Sequence, residues 1–318
     1  MLGFLKKNWF FIGIIAVSVL TLVDTSGTTA GLGKWWKAHH GADTIIFLIF
    51  FLSGLILRTR EIKTGLGDVT GTLLTLTLIF LIAPALACVL ALYPMDPGIR
   101  IGLFLVAVMP TTLTSGVVMT GAAGGNMAHA LLITIMGNGL SILTVPFSLA
   151  WLLQMEGGAI AVPIDKGRMM IQIGILVLLP LFLGLMLRPK SGPCRIMAHK
   201  ISPIINQCMV LAIVWIALSG AKTAVLDSRA QMVVVLILSF LFHGILLAAA
   251  FFFAWIGRLG PGRMESLIFM GGQKTLPLSV LIQMTLFPTY GLALAFCVVH
   301  HIIHLIMDSY LVGRLARL

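Results

Sequence analysis

Apolar stretches of about membrane-spanning length recur along nearly the whole chain, and charged residues fall almost entirely between them. A helix needs about 20 apolar residues to cross the hydrocarbon core of a bilayer. Ten such stretches are marked by their flanks: 8–24, 42–57, 69–93, 99–121, 126–153, 169–188, 202–222, 230–256, 264–286 and 290–313. They use most of the 318 residues and leave only short connections, with no room for a separate soluble domain. Charged residues make up 10% of the chain, against about 25% in a soluble globular protein. A water-soluble enzyme is thereby excluded. The chain is predicted to be an all-α integral membrane protein of ten transmembrane helices.

The first stretch follows Lys6 and Lys7, as the apolar run of a signal peptide would. No small-residue cleavage site closes it, so it is read as a span. Basic residues in alternate connections are unequal. One side carries thirteen: Lys6, Lys7, Arg58, Arg60, Lys63, Arg188, Lys190, Arg195, Lys200, Arg258, Arg263, Arg314 and Arg317. The other carries seven: Lys34, Lys37, Arg100, Lys166, Arg168, Lys222 and Arg229. The richer side is the cytoplasmic one. Both termini are therefore expected in the cytoplasm, in a plasma or inner membrane. The net charge of +11 is read as orientation and contact with anionic lipid headgroups rather than nucleic-acid binding. Cys88, Cys194, Cys208 and Cys297 match no disulfide or metal framework and are read as packing residues, Cys194 in a basic loop.

Two of the stretches are interrupted. The fourth carries Pro110, Thr111, Thr112, Leu113, Thr114, Ser115 and Gly116, and the ninth carries Gly271, Gly272, Gln273, Lys274, Thr275, Leu276 and Pro277. Each is fourth in a group of five, and the breaks are separated by about half the chain. Five is odd, so two five-span halves, 1–160 and 161–318, must lie upside down relative to each other. Broken helices at matching places in inverted halves point to a transporter site near the midplane. Backbone freed at that depth is tolerated only where protein or trapped water satisfies it. Freed carbonyls and hydroxyls suit small hard cations; freed N–H groups at half-helix starts suit anions.

The stretch PTTLTSGVVMTGAAGGNMAHALLITIMGN at 110–138 resembles the signature region of the bile acid:sodium symporter family. The nearest branch is the SBF-like one, related to the seventh member of solute carrier family 10. GGQKTLPLSV at 271–280 and FFLSGLILRTREI at 50–62 resemble the same branch. The resemblance implies two inverted five-helix repeats, with spans four and nine crossing at their breaks in a core domain and a panel domain moving against it. It also implies a sodium site drawn from Ser115 or Gly116, Asn126, Ala130 and Thr134. Ala130 stands where the bile-acid transporters have a hydroxyl, so one ligand is missing. The family's second site uses a crossover carboxylate and a Gln; Gln273 supplies an amide here, with no carboxylate near Phe269 and Met270 in the sequence.

Lys274 lies inside a span, where an ammonium costs about 2.5–3.5 kcal/mol on insertion scales. It must face a cavity or a partner. Two readings stand side by side: a fixed countercharge in the place of a sodium ion, or a group that also exchanges a proton. Ser115, Thr134, Asn126, Gln273 and Lys274 are the expected core site, with Thr112, Thr114 and Thr275 behind them; sodium would draw on Ser115, Asn126, Thr134 and Gln273. No other cofactor is expected. His300, His301 and His304 form an HHxxH cluster, read as interior hydrogen bonding or a proton-linked role in the panel domain, with Asp308 one turn beyond to pair with His304. His129 and His243 are read as lone, satisfied interior groups. No P-loop, kinase signature or nucleophile elbow appears. The expected function is secondary transport of a small organic anion, coupled to sodium or protons. A channel or a membrane regulator without transport is the alternative.

Overall fold

A computed structural model describes residues 2–57, 65, 67–155, 164–189 and 191–316, with the side chains of 2–8 and 11 left aside. Arg58, Arg60, Lys63, Lys190 and Arg317 of the charge argument, and the end of the 50–62 motif, lie outside the described residues. The described residues form helices and connecting turns, with no strand among them. In chain order the helices are α1 (Leu2–Val23), α2 (Thr28–Ala38), α3 (Gly41–Ile56), α4 (Val69–Ala91), α5 (Pro97–Val108), α6 (Ser115–Ala122) and α7 (Met127–Gln154). There follow α8 (Lys166–Leu187), α9 (Gly192–Asp227), α10 (Arg229–Ile256), α11 (Arg263–Gly272), α12 (Leu276–Leu286) and α13 (Gly291–Leu315).

Six of these, α4, α7, α8, α9, α10 and α13, are long and apolar enough to cross a membrane. Ile12–Val23 and α2 are long and apolar enough only when taken together, and they are bent by 106° at their junction. The fourth and ninth predicted stretches are each divided in two, α5 with α6 and α11 with α12. Several starts are set by three of the scarce acids and by one amide. Asp68, Asp96, Asn126 and Asp165 each accept backbone N–H groups of the first turn that follows, where those donors are otherwise unpaired and the helix dipole favours negative charge.

The expected basic loop around Cys194 is instead the beginning of α9. Pro193 sits in the first turn, where its missing N–H costs nothing, and the 36-residue helix is about 54 Å long. Arg195 and Lys200 therefore ride on a helix. The four cysteines are free thiols, with Cys297 buried and Cys194 and Cys208 exposed.

Packing explains where the polar breaks can sit. From Gly98 to Met109 every residue of α5 and its cap except Arg100 is buried, and so is almost all of α11 and α12. A helix apolar all round is an enclosed helix. α5 and α11 are enclosed by α4, α7, α10 and α13, and α12 lies against α13, α9, α5 and α3; α1, α2 and α3 pack with α9, and α8 packs with α3 and α7. Large side chains such as Leu236, Ile237, Phe240, Phe252 and Trp255 on α10 face outward, an apolar surface suited to lipid.

The α3–α8 contact is closed by two glycines. A Cβ on Gly54 would lie 2.2 Å from Leu181 O, and one on Gly184 2.0 Å from Phe51 O. Small residues let helix backbones approach this closely in membranes. Because the obstacle is backbone, neither helix can yield by a rotamer change. Gly184→Val is expected to destabilise by about 1–3 kcal/mol or more, the cost of overpacking. Lower yield and an earlier thermal transition of the purified protein would register it; an unchanged melt would show that the helices do not meet there.

Candidate functional site

The two interruptions meet. α5 ends at Met109, whose backbone is extended, and the chain stays non-helical until Ser115. α11 ends at Gly272, and Gln273, Lys274 and Thr275 lead into α12. Thr275 N donates to Pro110 O at 3.0 Å. Pro110 and Pro277 help keep the gaps open, since neither can donate a backbone N–H to continue a helix.

Gln273 joins the breaks through its side chain. Thr112 Oγ1 donates to Gln273 Oε1 at 2.6 Å, and Ser115 Oγ lies 2.9 Å from both that oxygen and Thr112 Oγ1. Gly116 N donates to Thr112 Oγ1 at 3.0 Å, so Thr112 satisfies an orphan donor at the start of α6. Thr112, Gln273, Lys274 and Thr275 are buried, and Ser115 is half-buried.

Lys274 is placed by a different logic. Its Nζ donates to Ala107 O and Met109 O at 3.0 Å each, at the negative C-terminal end of α5. A third bond, 2.9 Å, goes to Ile79 O on α4. That carbonyl is free for a local reason. Residues 78–82 form a π-helical turn in which Ala83 N donates to Leu78 O. The next N–H in line for Ile79 O would come from residue 84, and Pro84 has none. A single proline, through a one-residue slip of the helix ladder, thus supplies the ammonium with its third oxygen.

The remaining expected residues lie elsewhere. Asn126 caps α7, its Oδ1 accepting from Ala128 N at 3.0 Å and His129 N at 3.1 Å. Thr134 is buried and donates to Ala130 O within its own helix, 2.9 Å. Thr114 stands at the start of α6, where its side chain makes no cap. The structure therefore brings together Thr112, Ser115, Gln273, Lys274 and the backbone of Thr275, and leaves Asn126 and Thr134 engaged on α7.

Asp308 was paired only with His304 in the sequence reading, and it turns out to be the carboxylate of the crossing. Its Oδ2 accepts from Gln273 Nε2 at 2.8 Å, and its Oδ1 from His243 Nε2 at 3.0 Å. His304 Nδ1 is 3.8 Å from Oδ2. His304 Nε2 and His301 Nδ1 are 2.8 Å apart, and the rings of His243, His300 and His304 form a triangle with centroids 5.5–5.9 Å apart. The span-ten histidines thus lie against the break, because α13 packs on α5, α10 and α12. His243 is no lone group. His129 is satisfied by Ser266 and Thr72 at 2.7 and 3.2 Å. Among the described residues no group of three or more His, Cys, Asp or Glu is arranged to hold a metal ion. Two shallow clefts, one of about 680 Å³ at residues 191–200 and one of about 820 Å³ at 251–264, lie away from the breaks.

One ion pair outside the spans ties the two halves of the chain. Arg263 at the start of α11 grips Asp68 at the start of α4, Nε to Oδ2 at 2.8 Å and Nη2 to Oδ1. These bonds, with one from Gly71 N, hold the Asp68 carboxyl below the usual carboxylate range. A carboxyl whose folded value is depressed gives stability that is present above its unfolded value and is lost as pH falls through the folded one. Arg263 is 40% exposed, so screening leaves the pair about 1 kcal/mol. Asp68→Asn keeps a cap and loses the pair. It is expected to melt a few degrees earlier at neutral pH and to be less sensitive than the parent to acid below about pH 4. Parallel pH–melting curves for the two proteins would contradict this.

The model of the SBF-like CPA transporter family matches residues 8–317. The probable chloroplastic sodium/metabolite cotransporter BASS4 of Arabidopsis thaliana is 30% identical over 280 residues, covering 83% of this chain and 64% of that protein. The chain thus spans just under two thirds of that relative. Sodium/bile acid cotransporter 7 of Xenopus tropicalis is 28% identical over 288 residues, 87% of this chain and 81% of that protein. Solute carrier RCH1 of Saccharomyces cerevisiae is 30% identical over 197 residues, 57% of this chain and 45% of the yeast protein. With the family matched almost end to end and with long apolar helices throughout, the chain is a multi-pass membrane protein of the SBF-like CPA transporter family, a family of transporters and not of enzymes.

Proposed function

We propose that the protein is a secondary active transporter of a small organic anion, working by alternating access, with sodium or proton coupling. The observation that carries this reading is the meeting of the two interruptions, through Thr275 N on Pro110 O and Gln273 on Thr112 and Ser115. Freed backbone and hydroxyls gathered in an enclosed place are what a midplane binding site requires. The ten-span plan completes it: two inverted repeats, 1–160 and 161–318, with α5–α6 and α11–α12 as the crossing pair. The packing of α1, α2 and α3 on α9, with α8 on α3, supports a panel that moves against the core. Both termini are assigned to the cytoplasmic side of a plasma or inner membrane by the basic bias of the connections.

Lys274 takes the place of one sodium ion, its ammonium on three carbonyl oxygens that would otherwise coordinate a cation. Gln273, Ser115 and Thr112 form the adjoining polar wall, with Thr114 and Thr275 beside them. Asn126 and Thr134 hold the neighbouring α7 and offer a sodium ion further oxygens if their bonds rearrange. The anionic substrate is favoured by the half-helix starts of α6 and α12, and the relatives named as metabolite or bile acid cotransporters support that class.

Each charge moved through 100 mV gains about 2.3 kcal/mol, enough to concentrate a substrate. The test is uptake of radiolabelled cholate and small carboxylates into vesicles holding the purified protein. Uptake that saturates and exceeds equilibrium only under an inward sodium or proton gradient is expected. Equilibration without accumulation would make it a channel, and no flux with any anion would leave a regulator.

A further inference from the structure

Gln273 has an amide, and an amide has two unlike faces: an oxygen that accepts and an NH2 that donates. Which face looks toward Thr112 and Ser115 decides what the crossing can hold. We propose that Asp308, itself fixed by His243, is the positioning residue that sets this orientation. The inference rests on the transport reading above, since it says how that site is kept in order.

A carboxylate can only accept. Asp308 Oδ2, 2.8 Å from Gln273 Nε2, therefore demands the NH2 face. The oxygen is left to point the other way, at Thr112 Oγ1 and Ser115 Oγ, 2.6 and 2.9 Å off. The reversed amide would set its oxygen against the carboxylate, acceptor on acceptor. Gln273, Asp308 and His243 are all 0% exposed, so water cannot relieve that clash. Asp308 is in turn held by His243 Nε2–H on its other oxygen at 3.0 Å. Two helices and a break thereby lock one torsion: α10 gives His243, α13 gives Asp308, and the α11–α12 break gives Gln273.

The consequence reaches the ligand. With Gln273 Oε1 facing the first break, the Thr112 hydroxyl proton is committed to it, and Thr112 Oγ1 also accepts Gly116 N. Gln273 Oε1 takes the Thr112 and Ser115 protons, and the lone pairs left on the half-buried Ser115 Oγ make this edge of the crossing an acceptor surface. It takes a hard cation or a hydroxyl hydrogen of the substrate, and the substrate's carboxylate sits elsewhere.

The test is a swap in the full-length protein purified in detergent. Asp308→Asn lets the new side chain turn an NH2 toward that of Gln273, and Gln273→Glu sets two carboxylates face to face. The double variant Asp308→Asn/Gln273→Glu reverses donor and acceptor. The new amide at 308 donates to the new carboxylate at 273, whose second oxygen again faces Thr112 and Ser115; His243 still has an oxygen to bond. Each single variant is expected to melt earlier and to transport about tenfold less, the cost of one mismatched buried hydrogen bond. The double variant is expected to regain the parental melting temperature, which simple loss of packing would not produce. Losses that merely add would overturn the proposal. If neither single variant folds, recovery of folded protein in the double one is the supporting result and its failure the overturning one. Cholate uptake into vesicles separates the two readings: no uptake by the unmodified protein, with the melting rescue intact, sinks transport and leaves the positioning role standing.

Discussion

Replacing Lys274 by alanine is expected to abolish transport and to lower the melting temperature, with sodium chloride restoring part of the lost stability. The ammonium satisfies three buried carbonyls, Ile79 O, Ala107 O and Met109 O, at 2.9–3.0 Å. A buried polar group left without a partner costs about 1–3 kcal/mol. Three of them make a large share of the 5–15 kcal/mol that holds a typical fold together. Two of the three close the negative end of α5, where a cation is worth most. The vacated space is lined by convergent oxygens, the ligand type that hard cations prefer. Sodium should therefore stabilise Lys274→Ala more than choline at equal ionic strength, by mass action on the folded form. Equal effects of the two salts would show that the ammonium does not stand in for an ion. Normal transport by the variant at every pH would remove Lys274 from the mechanism. The pH profile of the unmodified protein separates the remaining roles: a fixed countercharge gives uptake indifferent to an imposed pH gradient, whereas a proton carrier gives uptake driven by one.

Much of this site was legible in the sequence because its signals are local. Prolines, glycines and hydroxyls inside apolar stretches mark a break wherever the chain goes next, so residues 110–116 and 271–277 could be named from spacing alone. Lys274 was conspicuous because an ammonium in an apolar stretch demands a partner. Its partners were not legible, since carbonyl oxygens carry no sequence identity. The π-helical slip that frees Ile79 O depends on Pro84, which reads as an ordinary proline in a span. Asp308 was seen only in relation to its helical neighbour His304, because periodicity reports contacts along one helix and not across three. His243, sixty-five residues from Asp308 in sequence, looked solitary for the same reason. Asn126 shows the converse: its place in a motif suggests a ligand, while its position before a helix is equally that of a cap, and the cap is the bond it makes. The start of α9 was placed ten residues late because Arg195 and Lys200 interrupt the apolar pattern without interrupting the helix.

Gln273→Leu is expected to be nearly as damaging as the loss of Lys274, for a separable reason. The amide ends four contacts: Thr112 and Ser115 on its oxygen, Asp308 and Met119 on its nitrogen. A leucine of similar size fills the space and makes no hydrogen bond. Asp308 then loses one of its two donors inside the protein, and hydrogen bonds to charged groups are worth about 1.5–3 kcal/mol each. The Thr112 and Ser115 hydroxyls lose their common acceptor, at about 1 kcal/mol apiece. The first break is then tied to the second by Thr275 N on Pro110 O and by Lys274 Nζ on Ala107 O and Met109 O, with no side-chain bond left across to Thr112 or Ser115. A marked fall in melting temperature with no measurable uptake is the expected result. Thr134→Val is the informative companion. That hydroxyl bonds only its own helix at Ala130 O, so its removal should change stability by less than about 1 kcal/mol. Should Thr134→Val melt like the parent yet lose sodium-driven uptake, Thr134 turns to a sodium ion during transport. Should it transport normally while Gln273→Leu does not, the working site is confined to the two breaks and the carboxylate behind them.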